Sequence, residues 1–415
     1  MKQHLQLAWS RFSENPVRWK QVLVAGVVIR FAFLFASGQW LTDEYWEYGQ
    51  IARLLAEGKG YSFSFVDEEL RFLPDAWYPS ALMPPGYVFF LYPFLLIQDL
   101  ALRNLLLFAV QMGISAGAMG LFYRYALAQA GPRVAMAGLL LQAFTPDLIF
   151  APCSIGPTVF FHFFFSAFFV LNLGESRKSK FLLQGLLAGI LVLFRSETLL
   201  FFGAYALWQC TRRQFLAPAL VVLPMVLLIS PWLVRNTLTF GKPILSASMG
   251  LNFYRGNNPG AIGDWPPQFD PEVLAFRKDP GTYEANFDRF ALTKALDWIR
   301  SEPGRWLARL PEKAARFWLL DWEDPRSRSP LYWMPWFITL LAGLNGIRKA
   351  QNRRHFPEIL LLLGVYTLIV LVFFPQLRYL TLIKFFGMPF AALGLQHLWS
   401  SPQKKPEGSP EIPGI

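Results

Sequence analysis

The chain has 415 residues, of which 54% are hydrophobic and 17% aromatic while only 16% are charged. Soluble domains carry about a quarter charged residues, so this composition excludes an ordinary water-soluble globule and calls for a solvent of low polarity. The formal net charge of +11 does not point to nucleic acid, because the basic residues collect at the ends of apolar segments.

Apolar stretches of membrane-spanning length recur along the chain. They place about ten transmembrane helices near 21–41, 104–124, 133–150, 157–173, 181–195, 198–210, 214–234, 330–346, 356–374 and 380–399. The fifth and sixth are short for full spans. Lys2, Arg11, Arg18 and Lys20 precede the first; Arg177, Lys178 and Lys180, Arg212 and Arg213, Arg348, Lys349, Arg353 and Arg354, and Lys404 and Lys405 fall in short connections or the tail. Putting every one of these on the cytoplasmic side gives a multi-pass path with both termini inside. The first segment carries Arg30 at its middle and lacks a small-residue cleavage site, so it is expected to be a retained helix. Cys153 and Cys210 fall near opposite ends of predicted spans, which argues against a disulfide between them.

Two long segments then lie outside: 42–83, opening with a juxtamembrane helix, and 236–329. Between Pro84 and Ile97 the chain is apolar but begins Pro-Pro-Gly and contains Pro93, which predicts a helix lying at the outer interface. In the second long segment, Phe287, Phe290, Ala291, Ala295 and Trp298 share one face of a helix predicted over 282–300 and ended by Pro303-Gly304. The expected architecture is an all-α polytopic membrane protein forming one unit over 1–415, with amphipathic helices in its outer loops.

Several charges sit where membrane depth makes them expensive. Asp43 and Glu44 follow Thr42 as the first span ends; the plain reading is a helix cap with two acids at the positive end of the helix. Arg195 and Glu197 occupy an outer turn, Arg235-Asn236 ends another span, and Arg378-Tyr379 opens the last. The arginines could simply snorkel to the interface, yet this topology gathers them beside the acidic pair. Gly256-Asn257-Asn258-Pro259 is a turn by its residue types and, in an outer loop, also a candidate for acceptor binding. The four histidines, His4, His162, His355 and His397, are scattered and form no metal motif.

The chain resembles the polyprenyl-phosphate-sugar-dependent glycosyltransferases of the GT-C fold, near the bacterial members allied to protein O-mannosyltransferases and lipid A aminoarabinose transferases. The resemblance is carried by DEYWEYGQIARLLAEGKGYS at 43–62, MPPGY at 83–87, GLLAGILVLFRSE at 185–197, PWLVRN at 231–236, GLNFYRGNNPGAIG at 250–263, and RY at Arg378. It implies a bacterial inner-membrane enzyme with its active site facing the periplasm. The enzyme would transfer a hexose or pentose with inversion from a polyprenyl-phosphate donor to a hydroxyl of a glycan, lipid or protein.

The resemblance also assigns roles. Asp43 is the candidate base, with Glu44 beside it, and a divalent metal is conceivable on that pair. Arg235, Arg378 and Lys384 are candidates for the donor phosphate. Tyr48, Pro85, Tyr87, Arg195, Glu197, Asn257, Asn258 and Tyr379 would frame the pocket. In the turn before the fourth span, where many relatives have an acid, this chain has Ser154-Ile155-Gly156-Pro157, and Glu197 is the expected substitute. A transporter or flippase of lipid-linked sugar is the main alternative, although no inverted repeat is visible; an O-antigen ligase or polymerase is the other.

Overall fold

A computed structural model describes residues 2–43, 47–67, 69, 71–175, 177–260, 270–322, 324–350 and 356–399. Glu44, and with it half of the expected acidic pair, lies outside them, as does the side chain of Arg378.

In chain order the helices begin with α1 (Lys2–Ser13) and α2 (Arg18–Ala36). The segment after α2 holds α3 (Glu47–Ala56) and an antiparallel hairpin, β1 (Ser62–Val66) and β2 (Phe72–Pro79), before the short α4 (Pro85–Leu95). There follow α5 (Leu100–Ala130), α6 (Pro132–Phe144), α7 (Pro146–Phe150), α8 (Thr158–Asn172), α9 (Lys178–Phe194), α10 (Thr198–Thr211) and α11 (Leu216–Phe240). The segment after α11 contains α12 (Met249–Gly256), α13 (Pro271–Phe276), α14 (Tyr283–Ser301) and α15 (Pro303–Trp318). The chain then closes with α16 (Pro330–Ala350), α17 (Pro357–Val372) and α18 (Leu377–Trp399).

This is an all-α multi-pass membrane protein. Among the described residues, α2, α5, α11 and most of α18 are long and apolar enough to cross a bilayer, and α6 with α7 would make a fifth span bent by 66°. The expected ten are thus not established: α9 and α10 have 17 and 14 residues, and α8 and α17 have 15 and 16. At 1.5 Å per residue these are shorter than a hydrocarbon core of about 30 Å. The face predicted for the second outer segment is real, since Phe290, Ala291, Ala295 and Trp298 of α14 are buried. Pro303 does more than end that helix, because it also starts the next one, its fixed φ and missing N–H being suited to a first turn.

The apolar interior is packed with phenylalanine. Phe161, Phe165 and Phe169 of α8 interlock with Phe201 and Phe202 of α10 and with Phe386 of α18. Elsewhere glycine lets backbones touch. A Cβ on Gly394 of α18 would lie 1.9 Å from the Ala342 carbonyl oxygen of α16, so only hydrogen fits there.

Polar groups inside this lattice are spent on broken helix ends. Arg30 is buried, and its guanidinium donates to the carbonyl oxygens of Gly26 at 2.8 Å, Ala143 at 3.0 Å, Gln142 at 3.0 Å and Leu148 at 3.1 Å. Gln142 and Ala143 lie in the last turn of α6, where carbonyls lack helical partners and lipid supplies none. Arg30→Ala should therefore lower the stability of the detergent-solubilised protein by about 2 kcal/mol or more, seen as a reduced melting temperature. An unchanged melting temperature would refute this role.

Candidate active site

A cavity of about 690 Å³ opens where α9 ends and α10 begins, beside the C-terminus of α17 and the N-terminus of α18. It is lined by Glu47 and Tyr48 of α3, Met83 and Pro84, residues 154–158, Arg195, Glu197 and Tyr379, and, from the loop after α11 and the helices it leads into, by residues 243–246, Ser248, Asn252 and Asp288. The 154–158 turn is held from behind. The Tyr87 hydroxyl donates to Gln111 Oε1 at 2.8 Å, and Gln111 Nε2 donates to the carbonyls of Pro152 at 3.1 Å and Ser154 at 3.0 Å. Tyr87 also meets the Tyr48 ring edge to face at 5.3 Å. Pro85 starts α4 directly behind the cavity-lining Pro84.

Arg195 is the buried cation of this cavity. Its Nε donates to Glu197 Oε1 at 2.5 Å, and its guanidinium carbon lies 5.2 Å from the centre of the Tyr379 ring. Among the described residues this is the guanidinium's one hydrogen bond, so the two terminal nitrogens keep their donors. Arg195, Glu197, Tyr48 and Tyr379, expected from the sequence to frame a pocket, all line this cavity.

Other expected residues are placed elsewhere. Asp43 does not line the cavity; it lies four residues before Glu47, with its carboxylate 3.2 Å from Arg53 and 3.1 Å from Arg103 and its side chain 60% exposed. Arg235 is committed to the scaffold, donating to the carbonyls of Ser80 at 2.6 Å and Tyr61 at 2.9 Å and to Asn236 Oδ1 at 2.8 Å. Lys384 pairs with buried Asp147, lies beside the Tyr332 and Trp336 rings, and lines a different, apolar cavity of about 450 Å³ among α16, α17 and α18. Neither side chain lines the cavity that holds Arg195: the donors of Arg235 are occupied by backbone carbonyls, and Lys384, in the other cavity, faces Asp147.

Asn257 and Asn258 are likewise outside the cavity lining. Asn257 donates to the carbonyls of Phe253 at 2.7 Å and Val372 at 2.9 Å, and accepts from Trp306 Nε1 at 2.8 Å and Lys313 Nζ at 3.1 Å. Lys313 Nζ donates further to the carbonyls of Leu371 and Phe373, so the two residues together satisfy the end of α17. Burial and the nearby Arg309 lower the Lys313 ammonium to about 8. Asn258 Oδ1 accepts from the Gly260 N–H at 3.0 Å, the turn chemistry its residue type favours.

Three acids escaped the sequence reading. Glu47 and Asp288 line the cavity, whereas Glu284 is buried behind it, accepting from Ser80 Oγ at 2.7 Å and Ala81 N–H at 2.5 Å. The signal available was weak: Glu284 and Asp288 stand four apart on a helix whose other face is apolar. Among the described residues no group of three His, Cys, Asp or Glu side chains could hold a metal. Asp43 faces two guanidinium groups, those of Arg53 and Arg103.

No family model matches the chain, and no curated protein matches it. Among solved structures, the archaeal oligosaccharyltransferase AglB from Archaeoglobus fulgidus, in complex with an inhibitory peptide and a dolichol-phosphate, matches with a TM-score of 0.51 at 14% identity. The chain has a GT-C fold. The match covers 92% of this chain and 51% of AglB, so the chain spans about half the length of that protein. ArnT from Cupriavidus metallidurans bound to undecaprenyl phosphate matches at TM-score 0.40 and 14% identity, over 92% of this chain and 78% of ArnT. An Archaeoglobus fulgidus oligosaccharyltransferase in complex with Zn and sulfate matches at 0.47 and 13%, over 91% of this chain and 49% of that one. At these identities the likeness establishes the fold.

Burial pushes the Glu284 carboxyl up to about 8 from a usual 4.5, against the opposing pull of its two hydrogen bonds. The folded state then binds more protons than the unfolded one between these values, so stability is fullest below about pH 4.5 and falls as pH rises towards 8. Glu284→Gln, whose amide oxygen can still accept from Ala81, should flatten that decline and raise the melting temperature at pH 8 by roughly 3–6 °C. Parallel pH–melting curves for the two proteins would contradict this.

Proposed function

We propose that the chain is a membrane glycosyltransferase that moves a sugar from a polyprenyl-phosphate carrier to an acceptor hydroxyl, acting at the outer face of the membrane. The observation that carries this reading is the buried Arg195, with unspent donors, in a cavity of about 690 Å³ at the ends of apolar helices. AglB, of the same fold, was solved with a dolichol-phosphate, which supports a lipid phosphate at such a site. The orientation has support from charge: Lys178 and Lys180 start α9 and Arg212 and Arg213 follow α10, whereas the cavity lies at the opposite ends of both helices.

In this mechanism the lipid tail stays in the bilayer while the phosphate meets the terminal nitrogens of Arg195, which Glu197 and Tyr379 hold in place. Arg378, adjacent to Tyr379 in sequence, is a second candidate for the phosphate. The acceptor oxygen attacks the anomeric carbon, the bond from that carbon to the phosphate oxygen breaks, and the configuration inverts. The electron pair leaves on the phosphate, where the guanidinium compensates the growing charge in a partly water-excluded site. The acceptor proton passes to a carboxylate, for which the candidates are Asp43, outside the lining and paired with Arg53 and Arg103, and Glu47, which lines the cavity.

Transfer of radiolabelled sugar from undecaprenyl-phosphoryl donors in detergent tests the class, since a transporter makes no new glycosidic bond. Arg195→Gln should lower turnover by about 10²–10³-fold and weaken undecaprenyl phosphate binding. With Asp43 as the base, Asp43→Asn should lower turnover by about 10²–10⁴-fold with lipid binding retained. If Asp43→Asn is active and Glu47→Gln is not, the base is the cavity-lining acid instead.

A further inference from the structure

The lining contributed by residues 243–246, Ser248, Asn252 and Asp288, the loop side of the cavity, has a chemistry unlike that of the rest. Asp288 on α14 accepts from the Leu251 N–H at 3.0 Å and also from Gly250, capping α12 from a distance because the helix's own Ser248 makes no side-chain cap. A carboxylate has about four lone-pair sites, so two remain in a side chain that faces the cavity wall. One helical turn after Ser248, the Asn252 side chain also lines the cavity, and among the described residues its amide makes no hydrogen bond. Ser246 and Ser248 complete the patch, their hydroxyls 2.6 Å apart.

A carboxylate, a primary amide and two hydroxyls on one wall match a ring carrying adjacent hydroxyl groups, each of which donates and accepts. They do not match an isoprenoid chain. We propose that Asp288 and Asn252 form the subsite that binds the hydroxyls of the transferred sugar, and that this sugar carries no negative charge. Apart from the phenols of Tyr48 and Tyr379, the ionisable side chains among the described lining residues are Glu47, Arg195, Glu197 and Asp288. Arg195 is paired with Glu197, so a sugar carboxylate on the loop side would face acids only. This subsite rests on the proposed function above, with the phosphate at Arg195 and the ring extending towards α14.

The test is binding of undecaprenyl phosphate and of undecaprenyl-phosphoryl glucose, mannose, arabinose and glucuronic acid to the full chain in nanodiscs. Asp288→Asn preserves the cap, because Asn serves that role as well as Asp; Asn252→Ala does not touch it. Both should weaken the preferred neutral sugar-phospholipid by about tenfold or more while leaving undecaprenyl phosphate within about twofold. The wild type should bind the glucuronic acid donor less tightly than the glucose donor, and Asp288→Asn should narrow that gap. Equal weakening of both lipids, or no effect of either variant on the sugar donors, overturns the subsite while leaving the lipid phosphate reading intact. A wild type that binds none of these lipids overturns both.

Discussion

Lipid offers no hydrogen bonds, so every helix that stops inside or at the edge of the bilayer must find partners for its last carbonyls. That constraint organises this molecule. The bend between α6 and α7 is tolerable because Arg30 reaches from α2 to the freed oxygens of Gln142, Ala143 and Leu148. The C-terminus of α17 is met by Asn257 and Lys313, which between them take the oxygens of Leu371, Val372 and Phe373. Gly256 makes the second arrangement possible, since a Cβ there would lie 1.7 Å from the Phe373 oxygen. Without these partners the ends of α17 and its neighbours could not stop short and leave a polar cavity between them.

The same economy explains which parts of the molecule were legible in the sequence. Helix class and lipid exposure follow from composition and apolar run length, and the buried face of α14 follows from helical periodicity. The grouping of Arg195, Glu197 and Tyr379 was legible because charges flanking two short apolar segments have few places to go. The hairpin of β1 and β2 was not anticipated, although Ser-Phe-Ser-Phe-Val alternates; in a chain this rich in phenylalanine a five-residue run carries little contrast. The number of spans was not legible either, since several apolar helices are shorter than a bilayer and run length alone cannot say how they sit.

Individual roles for cations were the least legible feature. Arg195 caps α9 and Arg235 lies within the last turns of α11, each next to a polar residue, and their local sequences do not separate them. Their partners do: Arg235 closes on backbone oxygens of Ser80 and Tyr61, delivered by residues more than 150 positions away in the chain. Lys384 meets an acid on α7 that the sequence offers no reason to pair with it. Long-range partners decide whether a buried charge holds the scaffold or is left for a ligand, and one sequence does not contain that information locally.

The cavity joins two kinds of support. One side is built from ends of apolar helices whose positions are fixed by packing, and there the cation is already paired with an acid and stacked on a ring. Its loop side is built from α12 and α14, tied to the hairpin through Glu284 and to one another through Asp288. Under the proposed function, a change of sugar or acceptor asks only for substitutions on α12, α14 and the 243–248 segment, whereas the helix ends that hold Arg195 are fixed by packing. Under that proposal the helix ends constrain the donor's phosphate carrier, and α12, α14 and the 243–248 segment set which molecule is transferred.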